Sequence, residues 1–131
     1  MILSLVLSVA LSGCNSQSTQ STQISERSLL RVINNGSYPI ENLVVWFPDE
    51  QIIFGDVAVG ETTEYVEAPK GVYSYAAYKY DIGGQEVTQP VIDWMGENPI
   101  EGDMFTYVVD FDPHRFGVVE VMHLIEVKVD N

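Results

Sequence analysis

Turn-forming dipeptides punctuate this chain at short, regular intervals, and they constrain its fold more than any other feature. They are Asn35-Gly36, Pro48-Asp49, Gly60-Glu61, Lys70-Gly71, Gly83-Gly84, Asn98-Pro99, Gly102-Asp103 and Asp112-Pro113. Each pair either supplies positive φ, presets a turn, or bonds back to its own backbone. The runs between them are rich in Val, Ile, Tyr, Phe and Thr, and many alternate with period two. Short β-branched runs bounded by turns read as strands. In Phe105 to Phe111, the odd positions carry Phe105, Tyr107, Val109 and Phe111. From Val119 to Val129 they carry Val119, Val121, His123, Ile125, Val127 and Val129, with Glu120, Glu126 and Lys128 opposite. Such alternation is that of half-buried antiparallel strands.

Further strands are expected at Ser28 to Asn34, Glu41 to Phe47, Gln51 to Phe54, Thr62 to Glu67, Val72 to Asp81 and Glu86 to Ile92. Gly83-Gly84 reads as a hairpin loop. No amphipathic helix is evident after the first residues. The expected fold is all-β, an antiparallel two-sheet sandwich of about seven or eight strands. The segment Phe54 to Tyr65 resembles the strand–"xGET"–strand turn of bacterial immunoglobulin-like domains, which implies an immunoglobulin-like or transthyretin-like sandwich.

Ahead of the strands lies a different kind of sequence. Met1 to Gly13 is apolar and uncharged, and too short for a permanent span, which needs roughly 20 residues. It has the length of a signal-peptide core followed by small residues, although no Lys or Arg precedes it. Leu11-Ser12-Gly13-Cys14 resembles the lipobox of bacterial lipoprotein signal peptides. That resemblance implies cleavage before Cys14, acylation of its thiol and new amino terminus, and an extracytoplasmic protein anchored to the cell membrane or outer membrane. By the sorting pattern of that family, Asn15 in place of an aspartate favours the outer membrane where there is one. Asn15 to Gln23 is polar, uncharged and low in complexity, so burial cannot offset its ordering entropy. As a flexible tether of about ten residues it would span roughly 15–20 Å. The expected organisation is a signal peptide at 1–13, lipidated cysteine and linker at 14–25, and a β-sandwich at 26–131.

Cys14 is the only cysteine, so the domain has no intramolecular disulfide and depends on its core. All nineteen acidic and six basic residues follow it, giving a net charge of −13. That field disfavours nucleic acid as a partner.

The chemistry-bearing residues are sparse. His114 sits in an acidic turn, and His123 falls on the apolar face of the last expected strand, where it reads as a hydrogen-bonded core histidine. Two histidines with no free cysteine make no zinc site. Asp110, Asp112, Asp103 and Glu101 lack the spacing of a calcium loop and read as turn carboxylates. No Gly-x-Ser-x-Gly elbow occurs. The expectation is a non-enzyme with no metal and no cofactor. Aromatic residues are the strongest constellation: Tyr73, Tyr75, Tyr78 and Tyr80, which a bulge at Ala76-Ala77 would gather on one face, and Trp94. The candidate binding surface is the loop Asp93 to Asp103, with Trp94 flanked by Asp93, Glu97, Glu101 and Asp103. The expected role is a lipid-anchored binding or structural module of the bacterial cell envelope with a protein or glycan partner. The alternative is a carbohydrate-active or other hydrolytic accessory protein using the acids near Trp94.

Overall fold

A computed structural model describes residues 27–70, 72, 74, 76–90, 97–114 and 121–130. They form eight strands: β1 (Arg27–Asn34), β2 (Ile40–Trp46), β3 (Gln51–Val57), β4 (Val66–Pro69), β5 (Ala77–Ile82), β6 (Gln85–Gln89), β7 (Met104–Phe111) and β8 (Met122–Asp130). Two four-stranded sheets result, one in the order β4-β1-β7-β8 and the other β3-β2-β5-β6. This is the all-β sandwich expected from the turn spacing. Every pairing is antiparallel except one, in which β1 and β7 run parallel from Leu29↔Met104 to Asn34↔Val109.

The core is built by alternation. Leu30 and Val32 of β1 face Phe105, Tyr107, Val109 and Phe111 of β7 on the inner side of one sheet. The other sheet contributes Ile40, Leu43, Val45, Ile52, Tyr78 and Tyr80, and all are buried. Burial of each such side chain stabilises the fold by roughly 1.5–3 kcal/mol relative to exposure. Ring packing adds direction, as in the edge-to-face contact of Tyr80 with Phe111 at 5.3 Å across the sheets.

Two buried amides join the sheets. Asn34 is fully buried where the chain leaves β1, and its Nδ2 donates to the carbonyls of Tyr38 (2.8 Å) and Val57 (3.2 Å). Its Oδ1 accepts the Gly36 N–H at 3.0 Å. Gln89, at the end of β6, acts as a substitute strand partner for Met122. Its Nε2 donates to the Met122 carbonyl (2.6 Å), and its Oε1 accepts the Met122 N–H (3.1 Å) and the Tyr80 hydroxyl (2.9 Å).

The hairpin loop expected at Gly83-Gly84 is present between paired Ile82 and Gln85. Both glycines have positive φ, 56° and 80°, the requirement of a type I′ turn. Several expected strands are redrawn. β3 runs on through Gly55 to Val57. Thr62 makes only an isolated bridge to Ile33, and β4 begins at Val66. Val72 bridges Ile100 instead of opening a long strand, and β5 begins at Ala77. Tyr78 and Tyr80 share the inner face, whereas Tyr73 and Tyr75, and with them the proposed gathering of four tyrosines, lie outside the described residues.

The last strand corrects the expected phase. Register shifts between Val108↔Glu126 and Val109↔Leu124, leaving Ile125 as an extra residue. A one-residue bulge reverses alternation. Met122 and Leu124 therefore turn to the core on one side of it, and Val127 on the other. His123, expected in the core, is exposed and pairs across from Asp110.

Candidate functional site

Strand directions collect one set of loops at the end of the sandwich where the chain enters β1. Arg27 pairs with Pro69 at the end of β4, and Leu29 with Met104 at the start of β7. On the other sheet, Trp46 at the end of β2 pairs with Gln51 and Ala77. The β2–β3 turn, the β4–β5 connection and the loop before β7 therefore share this end.

The β2–β3 turn is closed by the Phe47 N–H donating to the Glu50 carbonyl at 2.7 Å. Against it lies a cavity of about 210 Å³ lined by Trp46, Phe47, Asp49, Glu50 and Gln51. Phe47 is buried in the core and Trp46 is half-buried, so two aromatic side chains form the apolar wall. The Trp46 Nε1–H is buried and has no hydrogen-bond acceptor among the described residues. A buried donor left unpaired costs about 1–3 kcal/mol, and a buried indole N–H ordinarily finds a partner.

The acids on the rim differ in state. Glu50 accepts two hydrogen bonds from Arg27, Nη1 to Oε2 at 3.0 Å and Nη2 to Oε1 at 2.6 Å. The guanidinium bonds hold the Glu50 carboxyl below the usual range, against the opposing effect of partial burial. This fork ties the first residue of β1 to the turn of the opposite sheet. Asp49 is exposed, and among the described residues its carboxylate makes no ion pair or side-chain hydrogen bond. The site thus carries one neutralised acid, one free acceptor, one unsatisfied donor, and a Gln51 amide with both functions.

The loop expected to bind is placed only in part. Cys14, Asp93 and Trp94 lie outside the described residues. Glu97, Glu101 and Asp103 are all exposed. Asp103 Oδ1 accepts from Lys70 Nζ at 2.5 Å, its carbonyl accepts the Leu29 N–H at 2.8 Å, and the Ile100 N–H donates to the Val72 carbonyl at 2.7 Å. The second half of this loop is thereby fastened to β1 and to the β4–β5 connection. Trp46 and its cavity were missed in the sequence because Trp46-Phe47 reads as the end of a core strand. The available signal was an aromatic pair running directly into the turn Pro48-Asp49-Glu50.

Two other polar groupings are structural. On the outer face of the first sheet, Asp130 Oδ2 accepts from Tyr65 (2.8 Å) and Thr106 (2.5 Å), while Arg31 Nε donates to Thr106 at 2.9 Å and its guanidinium lies over the Tyr65 ring at 4.6 Å. At the far end, the exposed His114 ring packs edge-on against Tyr38 at 5.2 Å. Among the described residues, no group of three or more His, Cys, Asp and Glu side chains is placed to hold a metal ion.

Fold and site define a two-sheet β-sandwich with an aromatic and acidic cavity at the end where the chain enters. Comparison with known proteins extends the first half of that definition. The chain is similar in fold to an NMR structure of a protein from Eubacterium rectale, with a TM-score of 0.51 at 14% identity over 81% of this chain and 95% of that one. No family model and no curated protein matches the sequence.

Proposed function

We propose that this chain is a lipid-anchored binding module of the bacterial cell envelope, held outside the cytoplasm by acyl chains on Cys14. The observation that carries this reading is the sequence Leu11-Ser12-Gly13-Cys14, closing an apolar run and followed by an uncharged polar tether. The tether leads within a few residues into Arg27, the first residue of β1. The module acts by binding an envelope or extracellular protein or glycan, and a net charge of −13 directs it away from nucleic acid. Its binding surface lies at the end of the sandwich shared by Glu97 to Asp103, the described part of the candidate loop, and the β2–β3 turn.

Each buried CH₂ of an acyl chain contributes about 0.8 kcal/mol, so two or three chains anchor stably where one does not. Cells given a labelled fatty acid should label the wild-type protein and not Cys14→Ser, and only the wild type should partition into the detergent phase. A Cys14→Ser protein that still takes up label and partitions with detergent would overturn the anchor.

A further inference from the structure

Among the described residues, β4, β8, β3 and β6 stand at sheet edges, and three of them are poor templates for a further strand. β4 and β6 are short, at 4 and 5 residues. β3 is interrupted at Gly55, which has φ of 75° beside a shift in the pairing with β2. β8 is the longest described strand, at 9 residues. A sheet edge presents a row of unpaired N–H and C=O groups. Gln89 occupies that row at Met122, and the extra residue Ile125 interrupts it. Beyond the bulge, the neighbouring strands fix its phase. The Leu29 N–H donates to the Asp103 carbonyl and the Asn35 N–H to the Val109 carbonyl, so odd-numbered residues of β7 bond to β1 and even-numbered ones to β8. Glu126, Lys128 and Asp130 pair with Val108, Thr106 and Met104 and turn their backbone groups toward β7. Val127 and Val129 therefore turn theirs to the open side. Two large apolar side chains are exposed on the same stretch, Ile125 at 54% and Val129 at 44%.

This edge is complementary to itself. Laid antiparallel on a second copy about a two-fold axis at Val127, it sets Val127 against Val127, Ile125 against Val129 and Glu126 against Lys128. The last two pairings each occur twice, once on either side of the axis. The open backbone groups of Val127 and Val129 then face their counterparts. The apolar pairs fall on the inner face, where Val127 and Val129 already lie opposite Tyr107 and Phe105. The charged pairs fall on the other face, with Glu126 and Lys128 both exposed. The neighbouring registers of the same phase are repulsive: an axis at Glu126 sets Glu126 against itself, and one at Lys128 sets Lys128 against itself and Glu126 against Asp130. Opposite charges directly across a ladder stabilise it and like charges destabilise it, so the pattern selects one register. A net charge of −13 on each copy opposes unspecific self-association, which leaves this local match to decide it.

We propose that β8 pairs with β8 of a second copy from Ile125 to Val129, joining their β4-β1-β7-β8 sheets into one continuous sheet. The contact is isologous and closes as a dimer. It goes beyond the binding reading above and depends on neither that reading nor the anchor.

The test is sedimentation velocity of the full chain bearing Cys14→Ser, which excludes acylation and disulfide exchange. A dimer should form with rising concentration. Glu126→Lys sets lysine against lysine and Lys128→Glu sets glutamate against glutamate, and each should weaken dimerisation about tenfold. Both positions are exposed, and circular dichroism checks that the variants keep the fold. Mixed in equal amounts, the two single variants have opposite charges at both positions and should dimerise with each other. The double variant Glu126→Lys/Lys128→Glu should recover dimerisation with itself. Association through any other surface, Met1 to Gly13 included, does not follow this pattern. A chain that stays monomeric into the millimolar range would overturn the proposal. So would a dimer that both single variants form as strongly as the parent, or single variants that fail to associate when mixed.

Discussion

Gln89→Leu tests how far one buried amide holds the two sheets together. Leucine has nearly the volume of glutamine, so the substitution leaves little cavity and isolates the polar contribution. Gln89 is 5% exposed, and its partners Met122 and Tyr80 are each 1% exposed, so water cannot replace what is lost. Three hydrogen bonds disappear. The Met122 N–H, the Met122 carbonyl and the Tyr80 hydroxyl are left buried without this partner, at about 1–3 kcal/mol each. Burying a leucine in place of the amide returns about 2 kcal/mol. The net loss is about 4 kcal/mol, a large part of the roughly 5–15 kcal/mol that holds a domain of this size.

The measurement is urea unfolding of the full chain followed by far-ultraviolet circular dichroism, with Tyr80→Phe and the double variant as the rest of a cycle. Burial pushes the Tyr80 phenol up to about 12, so at neutral pH it is always a donor seeking an acceptor. Removing that hydroxyl in the Gln89→Leu background should therefore recover about 1–2 kcal/mol. In the wild-type background the same change should destabilise. A Gln89→Leu loss below about 1 kcal/mol, or a Tyr80→Phe effect that simply adds to it, would refute the reasoning.

Asp130 gives a pH prediction. Burial alone raises its carboxyl, but hydrogen bonds from Thr106 and Tyr65 and the charges of Arg31 and Lys128 outweigh this and hold it below the ordinary aspartate value. A lowered native pKa contributes stability that is present above the unfolded value near 3.9 and lost as pH falls through the native one. Asp130→Asn should therefore cost about 1–2 kcal/mol at pH 7 and progressively less toward pH 3, as read by thermal melts across that range. Gly36→Ala should destabilise by about 1–3 kcal/mol, since a Cβ there would meet Asp110 Oδ1 at 2.6 Å and the Phe111 backbone nitrogen at 2.7 Å. A Gly36→Ala melt indistinguishable from wild type would show that this turn yields.

The strands legible in the sequence were those whose alternation runs unbroken. In β7 the alternate positions Phe105, Tyr107, Val109 and Phe111 are apolar and all buried, and in β1 burial alternates strictly through Leu30 and Val32, so the core face follows directly. Alternation failed where the backbone departs from it. Asn42 adopts φ of 51° within β2, and pairing shifts between Ile40 and Leu43, so the inward residues there stand three apart rather than two. The extra residue at Ile125 does the same in β8 and carries His123 out to the surface. A bulge has no composition of its own in these segments. It is imposed by the partner strand, which single-sequence periodicity does not contain.

The parallel pairing of β1 with β7 is illegible for a related reason. Its paired residues lie 75 positions apart in the chain, from Leu29↔Met104 onward, and nothing local in either strand prefers a parallel neighbour. That pairing nonetheless brings the cavity turn and the fastened half of the Asp93 to Asp103 loop to one end, because β1 and β7 both begin there. Arg27 converts the shared end into a connected one. Its backbone pairs with Pro69 on one side, while its side chain forks onto Glu50 of the opposite sheet. Three residues further along β1, the same unbroken alternation reaches the core, and the sequence is readable at Leu30 and Val32. The site is therefore least legible where the fold is least local. The residue types that mark it, an aromatic pair running into an acidic turn, acquire meaning only when Arg27 neutralises Glu50 and the Trp46 N–H is left without an acceptor among the described residues.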